Sequence, residues 1–284
     1  MTAEVILSGV SEMRLTLVGG AESLLELHAA ELPQKNELCG AFWGMLALRN
    51  AGVTLDDGPL DQDAVGLAAG SFISAVQDTD DLPPGEPGRT DYRVSFPTVD
   101  DSSVSGTSAG GLVRALGELS GDRLAVVPVA GPWNPAAVRA VLEAGAGCTQ
   151  PCTVIANLAT RHLWGSHPDP ATLVAYLVAG DRDLGPPPDW DVGHFVSLLG
   201  AIEGPRGTLV LVADTYRALG WAGLHLQPVE GLAHALQRTG SGRPSGVIFV
   251  ASADDGPALG KRIDDAGLKV DIWDNGSRDL VQTR

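Results

Sequence analysis

Apolar and polar positions change period along the chain, and each change marks an element. Residues 4–18 alternate over one or two short strands and stop at Gly19-Gly20. Ala21–Ala30, with Leu24, Leu25 and Leu27, is helix-forming, and its His28 faces either core or solvent. A break at Leu32-Pro33 and the polar stretch Gln34-Lys35-Asn36-Glu37 give way to a mostly apolar run through Arg49. That run predicts a buried helix ending near Asn50-Ala51-Gly52. Further helices are expected over Asp61–Ile73, Ser108–Leu119 and Asn134–Ala144, the last with Asn134 as N-cap and Pro135 as first helical residue. Arg123–Val129 and Thr153–Leu158 read as strands, and Asp169-Pro170 opens a helix to Leu177.

The second half turns to strands. Gly193-His194-Phe195-Val196 begins a strand running to Gly200, and a Gly/Pro turn at 203–207 leads into Thr208–Ala213, closed by Asp214. Leu226-Gln227-Pro228 then enters a helix over Val229–Gln237. A strand at Gly246–Ala251, a helix at Asp254–Ala266 and a last strand at Leu268–Trp273 complete an α+β order. Trp190, Trp221 and Trp273 belong either to a groove or to the core. Residues 77–106 differ in character, being rich in Asp, Pro, Gly and Ser. They predict an exposed acidic loop or insertion with a short extended piece at Tyr92–Phe96, either plain surface or the border of a groove.

Composition narrows the function classes. The 284 residues suit one large domain spanning 1–284, with 44% hydrophobic and 19% charged residues. Nineteen basic against thirty-five acidic residues give a net charge of −16, which repels phosphate backbones and anionic lipid and argues against nucleic-acid or membrane partners. The start lacks a basic segment followed by an apolar core, and no run of about 18 apolar residues is present. A soluble, cytoplasmic protein is the expectation. Three cysteines are too few for a disulfide scaffold. Cys148 and Cys152 could pair, or join His162 or His167 around a metal, but the spacing favours two buried structural thiols and no cofactor or metal is expected.

Three residues carry candidate chemistry. Cys39 stands at a helix start, where unpaired backbone N–H groups and the positive end of the dipole suit a nucleophilic sulfur. The alternative is a small buried cysteine. His194 begins one strand of the hairpin and Asp214 follows the other, so imidazole and carboxylate can meet where antiparallel strand ends lie side by side. The alternatives are a satisfied strand histidine and an aspartate that caps the Thr215–Leu219 turn.

Gln34 with Cys39-Gly40-Ala41-Phe42-Trp43, then Gly193-His194-Phe195-Val196, then Val212-Ala213-Asp214, resembles the papain-like cysteine peptidase superfamily, most closely its C39-like group. The resemblance covers the cysteine helix and the hairpin. It implies a papain-like α+β fold, with the cysteine helix packed on an antiparallel sheet that carries histidine and aspartate. It implies Cys39 as nucleophile, His194 as base and then acid, and Asp214 as the group holding the imidazole. Gln34, with the Cys39 backbone N–H, would stabilise the oxyanion. The activity implied is hydrolysis of a peptide or amide through a Cys39 thioester. Transfer of the same acyl group to an amine or thiol, and an inactive binding scaffold, are the alternatives.

Overall fold

A computed structural model describes residues 12–76, 81–238 and 244–279. The chain forms β1 (Arg14–Leu17), α1 (Ala21–Ala30), α2 (Cys39–Asn50), α3 (Gln62–Ala69), β2 (Ile73–Ser74) and β3 (Thr98–Val99). There follow α4 (Ala109–Ser120), β4 (Leu124–Ala130), α5 (Pro135–Ala146), β5 (Thr153–Ala159) and α6 (Pro170–Ala179). The last part comprises β6 (Gly193–Glu203), β7 (Thr208–Ala213), β8 (Leu224–Pro228), α7 (Val229–Gln237), β9 (Gly246–Ser252), α8 (Gly256–Asp265) and β10 (Lys269–Val270). The fold is α+β, built on one large antiparallel sheet in the order β10-β4-β9-β5-β6-β7-β8, with β1 also paired to β6. β2 and β3 form a small parallel pair apart from it.

Both faces of the central strands are buried, so these strands read as continuous apolar runs rather than as an alternation. Val154, Ala156 and Leu158 of β5 pack with Val138, Val141, Leu232 and Ile263 of α5, α7 and α8. Ile155 between them turns to the opposite layer, where Phe195 and Leu199 of β6 meet Phe42, Met45 and Leu46 of α2. The period of two in the strands therefore divides one sheet between two helical layers.

α2 lies against β6, on which His194 stands. The Trp43 indole N–H donates to the Phe195 carbonyl at 3.1 Å. A Cβ on Gly40 would come within 3.0 Å of the Thr107 side chain and 3.3 Å of the Phe195 ring, so glycine lets the helix start sit this close to the strand without displacing either.

Several expectations change. The third helix stops at Ala69 because Gly70 takes a left-handed conformation, and the residues beyond it form β2. Pairing in the acidic segment falls at Thr98–Val99, while Tyr92–Phe96 forms no strand and instead turns the Phe96 ring into the core. β8 was not foreseen as a strand, and only Lys269–Val270 of the expected last strand pairs with the sheet. The Asp78 and Asp80 end of the acidic segment and most of residues 4–18 lie outside the described residues. Trp221 is exposed and Trp273 is buried against the sheet, so of the three tryptophans only Trp190 lines the cavity described below. Cys152 is buried, whereas Cys148 is half-buried and both are free thiols. Among the described residues no group of three or more His, Cys, Asp or Glu could hold a metal, and no helix is long and apolar enough to cross a membrane.

Candidate active site

The polar stretch before α2 is bent sharply to present Cys39. Leu38 N–H returns to the Lys35 carbonyl at 3.0 Å, and Glu37 between them holds φ 64°, a left-handed value that costs a residue with a side chain. The surrounding bonds hold it there. Glu37 Oε2 accepts from Ser74 N–H at 2.5 Å, and the Lys35 ammonium is buried against Asp63 Oδ2 at 2.5 Å while also donating to the Asp91 carbonyl. Asn36 exchanges two bonds of 2.8 Å with the backbone of Arg89. The acidic segment is thus tied to the approach to Cys39, and its Asp81, Leu82 and Ser102 line the same cavity as the sulfur.

That cavity has a volume of about 480 Å³, within the range of small-molecule pockets. Cys39, Gln34, Trp190, His194 and Tyr216 meet on its wall. The register of β6 with β7 pairs Ser197 with Ala213, which brings Asp214 diagonally across from His194. His194 Nε2 lies 3.1 Å from Asp214 Oδ1, with both side chains buried. Cys39 lines the same cavity wall as His194, and its sulfur acts electrostatically on the imidazole. With Nε2 committed to Asp214, Nδ1 is the nitrogen left for the thiol. Trp190 packs edge-on at 5.0 Å and Tyr216 stacks at 6.0 Å, between ring centroids, and together they enclose the imidazole.

The electrostatics follow from this enclosure. Burial on its own pushes the His194 pKa down, but the charge and hydrogen bond of Asp214, joined by Cys39, outweigh it and raise the pKa well above the ordinary value. Burial pushes Asp214 up, and the opposing pull of His194, with His225 behind it, takes the carboxyl well below the usual range. Imidazolium and carboxylate are the forms this pair favours.

Gln34 is oriented by two hydroxyls. Its Oε1 accepts from Thr215 Oγ1 at 2.6 Å and its Nε2 donates to Tyr216 Oη at 2.8 Å. The amide nitrogen carries a second N–H, and the residue lines the cavity beside Cys39. All four residues singled out from the sequence, Cys39, His194, Asp214 and Gln34, are thus brought together. Asp214 also accepts from Tyr216 N–H at 3.2 Å, so it caps the following turn as well as meeting the imidazole.

Three further groups were not singled out as site residues. His28 donates from Nε2 to the Asp214 carbonyl at 2.6 Å and stacks on Trp43. Burial keeps its pKa below the ordinary value despite that bond. Gly223, at φ 90°, passes so close that a Cβ would stand 2.9 Å from the His28 ring. His225 lies 3.6 Å from Asp214 Oδ2, and Tyr216 closes the cavity over Gln34. The signal for His225 is its alternation with Gln227, two residues on, along β8.

Residues 18–274 match a family described as a family of unknown function, DUF6885. No curated protein matches the chain. The matched span contains every residue of the cavity wall named above as well as the whole β6–β7 hairpin, and the chain belongs to the DUF6885 family.

Proposed function

We propose that this protein is a cysteine-dependent hydrolase of peptide or amide bonds, with a catalytic arrangement of the papain-like, C39-like kind. The observation that supports the reading is that Cys39 and His194 line one 480 Å³ cavity while the buried Asp214 carboxylate holds the imidazole from behind at 3.1 Å. Cys39 sulfur attacks the substrate carbonyl carbon, and its proton resides on His194. The carbonyl π pair moves to oxygen, and the resulting oxyanion is met by the Cys39 backbone N–H and the remaining N–H of Gln34. As the C–N bond breaks, His194 gives its proton to the leaving amine, leaving a thioester on Cys39. Water then adds to the thioester with His194 as base, the C–S bond breaks, and the acid and free thiol are released.

The test is hydrolysis of a library of N-acylated peptide p-nitroanilides, with intact-mass analysis of quenched samples. The expected result is p-nitroaniline release that Cys39→Ala abolishes, together with a transient acyl adduct that maps to Cys39. Release that survives Cys39→Ala, or adducts confined to Cys148 or Cys152, would overturn the reading.

A further inference from the structure

Behind Asp214 lies a buried chain of side chains that the hydrolytic steps do not use. Gln227 is completely buried on β8, and its orientation is fixed by backbone: Trp164 N–H donates to Oε1 at 2.7 Å, and Nε2 donates to the Trp164 carbonyl at 3.0 Å. Neither bond survives a flip of the amide. Nε2 also reaches His225 Nδ1 at 3.0 Å. An amide nitrogen only donates, so Nδ1 accepts and the ring proton sits on Nε2. That N–H faces Asp214 Oδ2 at 3.6 Å, while Oδ1 is taken by His194 and by Tyr216 N–H. β8 pairs His225 with Val212, which places the ring diagonally across from Asp214 just as His194 is on the other side.

We propose that His225, its tautomer set by Gln227, is a positioning residue that fixes the plane of the Asp214 carboxylate and keeps it ionised while it holds His194. The proposal rests on the hydrolase reading and deepens it. His225 touches no substrate: with Asp214, Ser166 and Asp189 it lines a separate, small cavity, and neither His225 nor Asp214 lines the catalytic one. At 3.6 Å the contact is longer than a formed hydrogen bond, so its effect is that of an N–H dipole aimed at a buried carboxylate. The other titratable groups around Asp214 are His194 on β6, Cys39 of α2 beyond it, and His28 of α1 on the carbonyl, with Arg217 nearby. Tyr216 in the following turn and Asp189 across the small cavity complete the set. All of them remain when His225 is replaced.

The experiment is iodoacetamide alkylation of Cys39, followed by mass mapping as a function of pH, in the wild-type protein and in His225→Leu, His225→Gln and His194→Ala. His225→Leu is expected to move the alkaline limb of the rate profile, which reports loss of the His194 proton, downward by about half a pH unit. That is less than the unit or more expected of a full charge-assisted hydrogen bond. His225→Gln, whose amide N–H reaches the place of Nε2, is expected to restore it. If Cys39 alkylation responds to His194→Ala but the His225→Leu profile superimposes on wild type, the positioning role is overturned and the hydrolase reading stands. If His194→Ala changes nothing, the hydrolase reading falls and this proposal with it. Nitrogen-15 NMR of the histidines in the unmodified protein checks the tautomer without relying on a variant. An unprotonated Nδ1 and protonated Nε2 at His225 support the proposal, and the reverse overturns it.

Discussion

At the scale of single residues, Asp214 is shared between two tasks, and substitution separates them. Its Oδ1 accepts from Tyr216 N–H and also faces His194 Nε2. Asp214→Ala removes both, so thermal stability and the rate of Cys39 alkylation should fall together, the rate by about 10², as expected for a disabled base. Asp214→Asn retains an acceptor for the turn but loses the charge that favours the imidazolium. It should therefore recover most of the melting temperature while the rate stays low. A rate per folded molecule that is unchanged in Asp214→Ala would leave Asp214 as a turn cap alone. A histidine and an aspartate at paired strand ends could be read from spacing, since a two-residue period and a short turn determine which side chains meet. His28 and His225 were not legible in this way, because neither a lone helix histidine nor a histidine in a short polar strand announces what it faces.

At the scale of elements, the approach to the nucleophile depends on a charge pair from outside the catalytic set. Lys35 and Asp63 lie 2.5 Å apart, with side chains 11% and 0% exposed, and Asp63 also accepts from Arg93 N–H. Removal of one partner strands a buried charge. Asp63→Ala should therefore cost about 3–5 kcal/mol in a urea melt, whereas Arg93→Ala, which cuts only the exposed bridge to Asp61, should cost under about 1 kcal/mol. Equal losses in the two variants would show that the buried pair does not hold the segment. The helices were legible from their signals: Asn134, Asp169 and Ser108 cap the helices they were expected to open. The acidic segment was legible only as two alternatives, plain surface or the border of a groove, and Asp81, Leu82 and Ser102 line the cavity as the second has it. Its residues look solvated in sequence, yet Asn36, Lys35 and Asp63 draw its backbone against the α2 entrance through bonds between positions more than 25 residues apart.

At the scale of the whole molecule, the buried His194–Asp214 pair makes stability depend on pH from both sides. Asp214 has a lowered folded pKa, so its contribution is present above the unfolded value near 3.9 and is lost as pH falls through the folded one. His194 is raised to about 10, so its contribution is complete below the unfolded value of about 6.5 and is lost as pH rises through about 10. His28, with a lowered pKa, acts in the opposite sense, its contribution being lost as pH falls below about 6.5. A double-mutant cycle over His194→Ala and Asp214→Ala cancels His28 and isolates the pair. Its coupling should be largest between about pH 4 and 6.5 and should decline toward pH 10, and a coupling that grows over that alkaline range would contradict the assignment. The central claim, that Cys39 is a nucleophile served by His194, is tested most directly by limiting iodoacetamide labelling and peptide mapping of the three cysteines in wild type and His194→Ala. The account predicts that Cys39 is modified first in the wild type, ahead of half-buried Cys148 and buried Cys152, and that this preference is lost in His194→Ala. Preferential modification of Cys148 or Cys152, or a Cys39 rate unchanged by the loss of His194, would contradict it.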